Sequence, residues 1–425
     1  MKRREFLTGT LAAGGALLTS SVTFANAMPC GKSRLVFVIL RGALDGLATV
    51  PAYADPGYAA LRGDLAIGKP GTDGGALELD GFFGLHPSLA FMRQAYAAKE
   101  LIVLHAVASP YRDRSHFDGQ NVLETGYPQP HAVATGWLNR ALAAIPGRLA
   151  TEKERGISIA PSAPLVMRGP AAVTSWSPSH LAPLDDDTLQ RIADLYSSRD
   201  PLLARKLAEA LAAQAIADEK AAGPAQTLSD TPGEAEPAAA KNGRPLLAER
   251  GKPGARYAEL VAAAARFLRQ EDGPQVAVLD TTGWDTHFNE GGAKGQLAGR
   301  LAELDAALSA LEAGLGPVWS DTAVLLTTEF GRTVAENGTR GTDHGTATAA
   351  YLIGGAVSGG RVVADWPGLS PQKLYQDRDL RPTLDVRAVM KGLLAEHLGV
   401  PEKALETSVF PDSRAVRPLT GLLRA

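Results

Sequence analysis

Four short stretches of this 425-residue chain carry the residue types that bind metals and cleave esters. They are Asp45; Arg112-Asp113-Arg114-Ser115-His116-Phe117-Asp118; Trp284-Asp285-Thr286-His287; and Glu329 with Thr342-Asp343-His344-Gly345. Asp285 and His287 stand two apart, which suits two ligands on an extended loop pointing to one side. Asp343-His344-Gly345 adds a carboxylate, an imidazole and a residue that lets backbone pass close. Mixed carboxylate and imidazole ligands suit zinc, manganese or iron(II), whereas all-oxygen sets suit magnesium or calcium. Two such ions about 4 Å apart clamp the attacking and leaving oxygens of an ester. A serine beside them becomes a nucleophile, and Ser115, between Arg114 and His116, is the best-placed candidate. Arg114 and Arg332 are candidates for gripping two oxygens of an anionic ester.

Each piece also has an ordinary reading. An Asp-x-His pair is commonly a surface hydrogen-bonding pair, Asp343-His344-Gly345 a turn, Asp45 a helix cap and an arginine a surface ion pair. The joint pattern is more demanding, because each group follows a predicted strand, and sites in open α/β sheets form outside the carboxyl ends of strands. His105 lies inside an apolar run and reads as a core or sheet-end residue. His86, His131, His180 and His397 have no partner pattern.

The elements that position these groups are legible as runs and periodicities. Arg34 to Leu40 is a continuous apolar run with β-branched members, the pattern of a strand buried on both faces. Leu101 to Val107 is a second strand, after a helical stretch from Pro87 to Lys99. A helix is expected over Arg256 to Gln270 and a strand over Gln275 to Leu279, followed by the polar loop from Asp280 to Glu290. A long helix spans Gln296 to Leu315, with Leu297, Leu301, Leu304, Leu308 and Leu311 in one stripe. Thr322 to Thr328 and Ala349 to Gly354 complete the strands. This alternation predicts an α/β fold, a mostly parallel central sheet with helices on both faces. A helical insertion is expected at about 150–220. The Pro/Ala/Gly/Glu-rich stretch at about 221–250 has too little apolar content to order itself by burial.

The N-terminus reads Lys2-Arg3-Arg4-Glu5-Phe6-Leu7, the core of a twin-arginine signal. A weakly apolar run and Ala25-Asn26-Ala27 follow, so residues 1–27 are expected to be removed on export to the periplasm or beyond, with the twin-arginine translocation machinery as partner. Cys30 is the only cysteine, which excludes an internal disulfide and suits cargo folded before export. With 45% hydrophobic residues, 21% charged and a net charge of −3, the chain is globular with no broad electrostatic case for nucleic acid or anionic membrane. No membrane span is expected in the mature chain.

The same residues carry a family resemblance. The twin-arginine start, Leu40-Arg41-Gly42-Ala43-Leu44-Asp45-Gly46-Leu47, Gly84-Leu85-His86-Pro87, Arg114-Ser115-His116-Phe117-Asp118, Trp284-Asp285-Thr286-His287, Thr328-Glu329-Phe330-Gly331-Arg332 and Asp343-His344-Gly345 resemble the family known as domain of unknown function 1501. That family is similar to the alkaline phosphatase and sulfatase superfamily in its order of strands and metal-bearing loops. The resemblance matches Asp45, Asp285, His287, Glu329 and His344 to metal-bearing positions and the nucleophile loop to the region of Ser115; together with Asp343 these residues are expected to hold one or two divalent metals. It also places Phe330 where a second imidazole ligand is expected, with His116 as the substitute. A formylglycine sulfatase is disfavoured, since Cys30 lies at the signal boundary. The expectation is an exported metal-dependent hydrolase of phosphate or sulfate esters. The alternative is a non-catalytic binding or assembly protein with a degenerate metal site. Asp45, Asp285, His287 and His344 are expected to converge within about 6 Å of one point.

Overall fold

The computed structural model describes residues 32–146, 155–178, 186–218 and 253–424. The twin-arginine segment, Cys30, His180 and the stretch at about 221–250 lie outside the described residues. A nine-stranded sheet runs through the fold: β1 (Arg34–Arg41), β2 (Leu101–Ala108), β3 (Gly156–Ile159), β4 (Val173–Trp176), β5 (Val276–Thr282), β6 (Thr322–Thr327), β7 (Thr348–Ile353), β8 (Arg361–Val363) and β9 (Leu384–Asp385). The spatial order is β8-β2-β7-β6-β1-β5-β3-β4, with β9 also paired to β2. Only β7 runs antiparallel to its neighbours; every other pairing in this sheet is parallel.

The continuous apolar run of β1 has its reason in two-sided burial. Val36, Val38 and Leu40 enter a core shared with Met92 of the helix Ala90–Ala97, Phe267 of Pro253–Arg269 and Leu301 of Gln296–Leu315. Leu35, Phe37 and Ile39 enter the opposite core with Trp137 of the helix Trp137–Ala144 and Met390 and Leu393 of Val386–Leu398. The sheet is therefore sandwiched between helices, as the sequence predicts. The segment expected to be a helical insertion is more than that. It supplies β3 and β4, which extend the sheet beyond β5, before the helices Asp186–Arg199 and Pro201–Asp218. Among the described residues no helix is long and apolar enough to cross a membrane.

Because β1, β2, β5 and β6 are parallel, their carboxyl ends share one rim, and the loop entering antiparallel β7 arrives at that rim too. Two of these loops touch through backbone. Gly42 adopts φ +122°, and a Cβ there would stand 2.8 Å from the Asp285 amide nitrogen.

Beneath the rim lies a buried charged cluster that corrects the role expected for Asp45. One Asp45 oxygen caps the helix Gly46–Thr49 by accepting from Ala48 N at 2.9 Å; the other meets Arg62 at 2.7 Å. Glu290 completes the cluster, with Oε1 3.6 Å from Arg62 and Oε2 accepting from Thr286 at 3.0 Å and Thr342 at 2.7 Å. All three charged side chains are buried. Asp45 is thus a cap and ion-pair partner, not a metal ligand. Arg62 stabilises one carboxylate fully and the other poorly. Burial and the nearby Asp45 charge push Glu290 up to about 8, while Asp45 is held below its ordinary value by Arg62, against the effect of burial.

Two outcomes follow. Gly42→Ala combines a left-handed backbone with a clash against Asp285 and should cost about 2–4 kcal/mol of stability in urea unfolding; a variant as stable as wild type would contradict the close approach. Between Glu290's ordinary 4.5 and about 8, the folded chain holds a proton that the unfolded chain has lost, so this group makes stability fall as pH rises across that window. Glu290→Gln should flatten that part of the decline, read as the difference in urea midpoint between pH 5 and pH 8; a slope identical to wild type would refute the buried proton.

Candidate metal centre

Three imidazoles and one carboxylate converge at the rim. Asp285 Oδ1 lies 3.5 Å from His116 Nε2, 3.1 Å from His287 Nε2 and 3.3 Å from His344 Nε2. His116, Asp285 and His344 each offer an atom within 4.8 Å of the other two, and His287 Nε2 stands 3.0 Å from His344 Nε2. A tetrahedral site with bonds of about 2.0–2.1 Å has ligand atoms about 3.3–3.4 Å apart, close to the distances from Asp285 Oδ1 to the three Nε2 atoms.

The far side of the His116 and His344 rings fixes their tautomers. His344 Nδ1 meets the Arg114 carbonyl at 2.9 Å; a carbonyl only accepts, so Nδ1 carries the proton and the Nε2 lone pair faces the cluster. His116 Nδ1 donates to Glu329 Oε1 at 2.8 Å. His287 Nδ1 lies 3.4 Å from Asp343 Oδ1. Anchoring the outer ring nitrogen to a carboxylate or carbonyl is how metal-binding histidines are commonly oriented. The inner face then presents the Nε2 lone pairs of His116 and His344 to an anionic oxygen, and the 3.0 Å contact between His287 Nε2 and His344 Nε2 calls for a proton or a cation between them. His116 Nε2 is buried and has no hydrogen-bond partner among the described residues.

The electrostatics favour the binding-competent states of Asp285 and His344. Burial opposes the charge on Asp285, but Arg332 outweighs it and holds the carboxyl below its usual range. Burial and the nearby His116 push His344 down, toward the neutral imidazole that coordinates metal. The hydrogen bond to Glu329 raises His116. Burial works against an ionised Glu329, but hydrogen bonds from His116, Gln120 and Thr328 hold it low.

Several expected roles change. Glu329 is not a ligand: it is fully buried, with Oε1 accepting from Gly42 N at 2.9 Å, His116 and Gln120, and Oε2 from Thr328. The imidazole beside Asp285 and His344 is that of His116, at a position Phe330 does not occupy. Phe330 instead packs on the rings, with centroids 5.0 Å from His116 and 5.3 Å from His344. Asp343 stands behind His287, not in the ligand set. Ser115 precedes the helix His116–Thr125 and lies outside that set; its N–H donates to the Tyr111 hydroxyl at 3.2 Å. Neither arginine expected to bind an anion is free. Arg114 is paired with Asp379 at 2.7 Å and with Gln376. Arg332 is buried and donates to the Ala43, Gly42, Trp284 and Thr342 carbonyls and to Asp285.

Residues missed by sequence reasoning include Gln120, Glu290, Arg62 and Asn337, which bonds both the His287 carbonyl and Asp343. Gln120 sits four residues beyond His116, one helical turn on, and that spacing was the available signal. Among the described residues, the remaining histidines are engaged elsewhere. His86, His105 and His397 are buried and bond the carbonyls of Gly292, Val50 and Arg34, while His131 meets Asp118. Burial drives His105 down to about 4.

No curated protein matches this sequence. Two solved structures resemble it at low identity. One is Ps i-CgsB in complex with k-i-k-neocarrahexaose, at 11% identity and a TM-score of 0.41, covering 91% of this chain and 77% of that one. The other is the lipoteichoic acid synthase LtaP from Listeria monocytogenes, at 7% identity and a TM-score of 0.38, covering 90% and 76%. Residues 95–409, which include every ligand of the rim cluster, match the model of the family described as "Protein of unknown function (DUF1501)", and the chain belongs to that family.

Proposed function

We propose that this chain is an exported, metal-dependent hydrolase of phosphate or sulfate esters, with one zinc-class ion held by His116, Asp285, His287 and His344. The observation that carries the reading is the convergence of His116, His287 and His344 through Nε2 on one Asp285 oxygen, with His116 and His344 held from behind at Nδ1. Mixed nitrogen and oxygen donors favour zinc, with manganese or iron(II) next, over magnesium or calcium. Such an ion supplies Lewis acidity toward an ester oxygen and an attacking water.

The chain's own part is positioning. Glu329, Asp343 and the Arg114 carbonyl hold the rings, and Arg332 keeps Asp285 ionised. Partial exposure of His116, His287, Asp285 and His344 leaves the cluster open to solvent and substrate. The attacking group is a water or the hydroxyl of Ser115, which adjoins His116 in the chain. The Lys2-Arg3-Arg4-Glu5-Phe6-Leu7 start supports passage through the twin-arginine machinery to the periplasm or beyond.

One observation favours the second reading, a binding or assembly protein with a structural metal. Arg114 and Arg332, the guanidiniums expected to grip an ester anion, are both committed to the protein itself.

Metal analysis and turnover separate the readings. Wild type should carry one divalent ion per chain and hydrolyse an aryl phosphate or aryl sulfate in a chelator-sensitive way. His344→Ala should purify without metal, and Glu329→Gln should bind it about 10- to 100-fold more weakly through loss of the His116 tether. Unchanged metal content in His344→Ala would refute the site. A fully loaded protein without turnover would leave the structural-metal reading.

A further inference from the structure

We propose that Phe117 and Phe288 form an aromatic rim that holds the hydrocarbon part of the substrate, so that the site takes anionic esters bearing an aromatic or other flat apolar group. This rests on the hydrolase reading above and adds the substrate class to it. Phe117 is 87% exposed and Phe288 59% exposed, and they are the only exposed phenylalanines among the described residues. The other large exposed apolar side chains, Leu195, Leu202, Leu203 and Leu211, lie away in sequence on the helices Asp186–Arg199 and Pro201–Asp218.

Position is what distinguishes the two phenylalanines. Each is the residue immediately after a ligand, Phe117 after His116 and Phe288 after His287. The rings of both ligands lie against His344, with centroids 4.3 Å and 4.7 Å from it. Adjacent Cα atoms are about 3.8 Å apart, so both aromatic residues are rooted at the edge of the cluster.

Nor is their exposure that of slack loops. The His287 carbonyl accepts from Asn337 at 2.9 Å and Thr339 at 2.7 Å, and the Asn289 N–H donates to Thr339 O at 3.0 Å. Gly341 has no side chain at the point where its backbone passes the His287 carbonyl and the Phe288 nitrogen. Phe117 occupies the first turn of a helix whose first residue is tied to buried Glu329. A rigid backbone thus displays two large apolar rings to water, where they contribute nothing to the core. Rings of this size recover that cost when they cover an apolar surface. An anionic ester centred on the metal brings such a surface to them whenever its alcohol part is aromatic or flat and apolar.

The test is calorimetric titration of the metal-loaded protein with phenylphosphonate and methylphosphonate, which share the anionic head and differ in the apolar group. Wild type should bind the phenyl compound about 30-fold more tightly, from the apolar area covered. Phe117→Ala and Phe288→Ala should each cut that preference several-fold, and the double variant should abolish it, with methylphosphonate affinity and metal content unchanged. Equal affinities in wild type, or a preference that survives in the double variant, would overturn the rim. A loaded protein that binds neither phosphonate would remove the hydrolase reading itself, and the rim with it.

Discussion

Arg332 is the constraint on which the rim depends. Its buried guanidinium joins the carbonyls of Gly42 and Ala43, those of Trp284 and Thr342, and the Asp285 carboxylate. Three loops far apart in sequence are thereby held at one point. A buried arginine is costly unless every donor is used and its charge is matched. Here carbonyls absorb the donors and Asp285 matches the charge. The same contact keeps that carboxylate ionised, so the interaction that ties the loops together also sets the charge of the rim cluster.

The neighbours of Arg332 act in concert with it. Glu329 tethers His116, and Phe330 packs on the His116 and His344 rings. Gly331 leaves room for the Ala347 carbonyl, which any side chain there would strike. Gly119 makes the matching space for Phe330 from the facing helix. None of these four consecutive residues, Glu329 to Arg332, lies in the ligand set, yet all four shape the cluster. Below them the Asp45–Arg62–Glu290 cluster anchors Thr286 and Thr342, each adjacent to a residue of the site, from the core side. The rim is therefore braced both laterally and from beneath.

Much of the fold was legible because two-sided burial leaves a plain trace. The apolar run of β1 and the leucine stripe of Gln296–Leu315 could be read directly. Strands β3 and β4 were not, since four-residue segments within a stretch dominated by helices carry too little periodicity to detect. At the site, the four polar loops and the residue types were visible, but not the division of labour. A carboxylate just after a strand looks the same whether its partner is a metal or an arginine. Asp45 found Arg62 and Glu329 found His116, whereas Asp285 found both Arg332 and three imidazoles. His116 opens a helix of weak amphipathic pattern, so only the family resemblance pointed to it as a substitute imidazole, and the convergence of the loops brings it beside Asp285 and His344.

The central claim is that three histidines and Asp285 surround a single cation. X-ray absorption spectroscopy on zinc-loaded protein tests it most directly. The account predicts a first shell of about three nitrogens and one oxygen at about 2.0–2.1 Å, with imidazole outer-shell scattering and no metal–metal feature. A six-coordinate all-oxygen shell, a sulfur ligand, or a second metal about 4 Å away would contradict it.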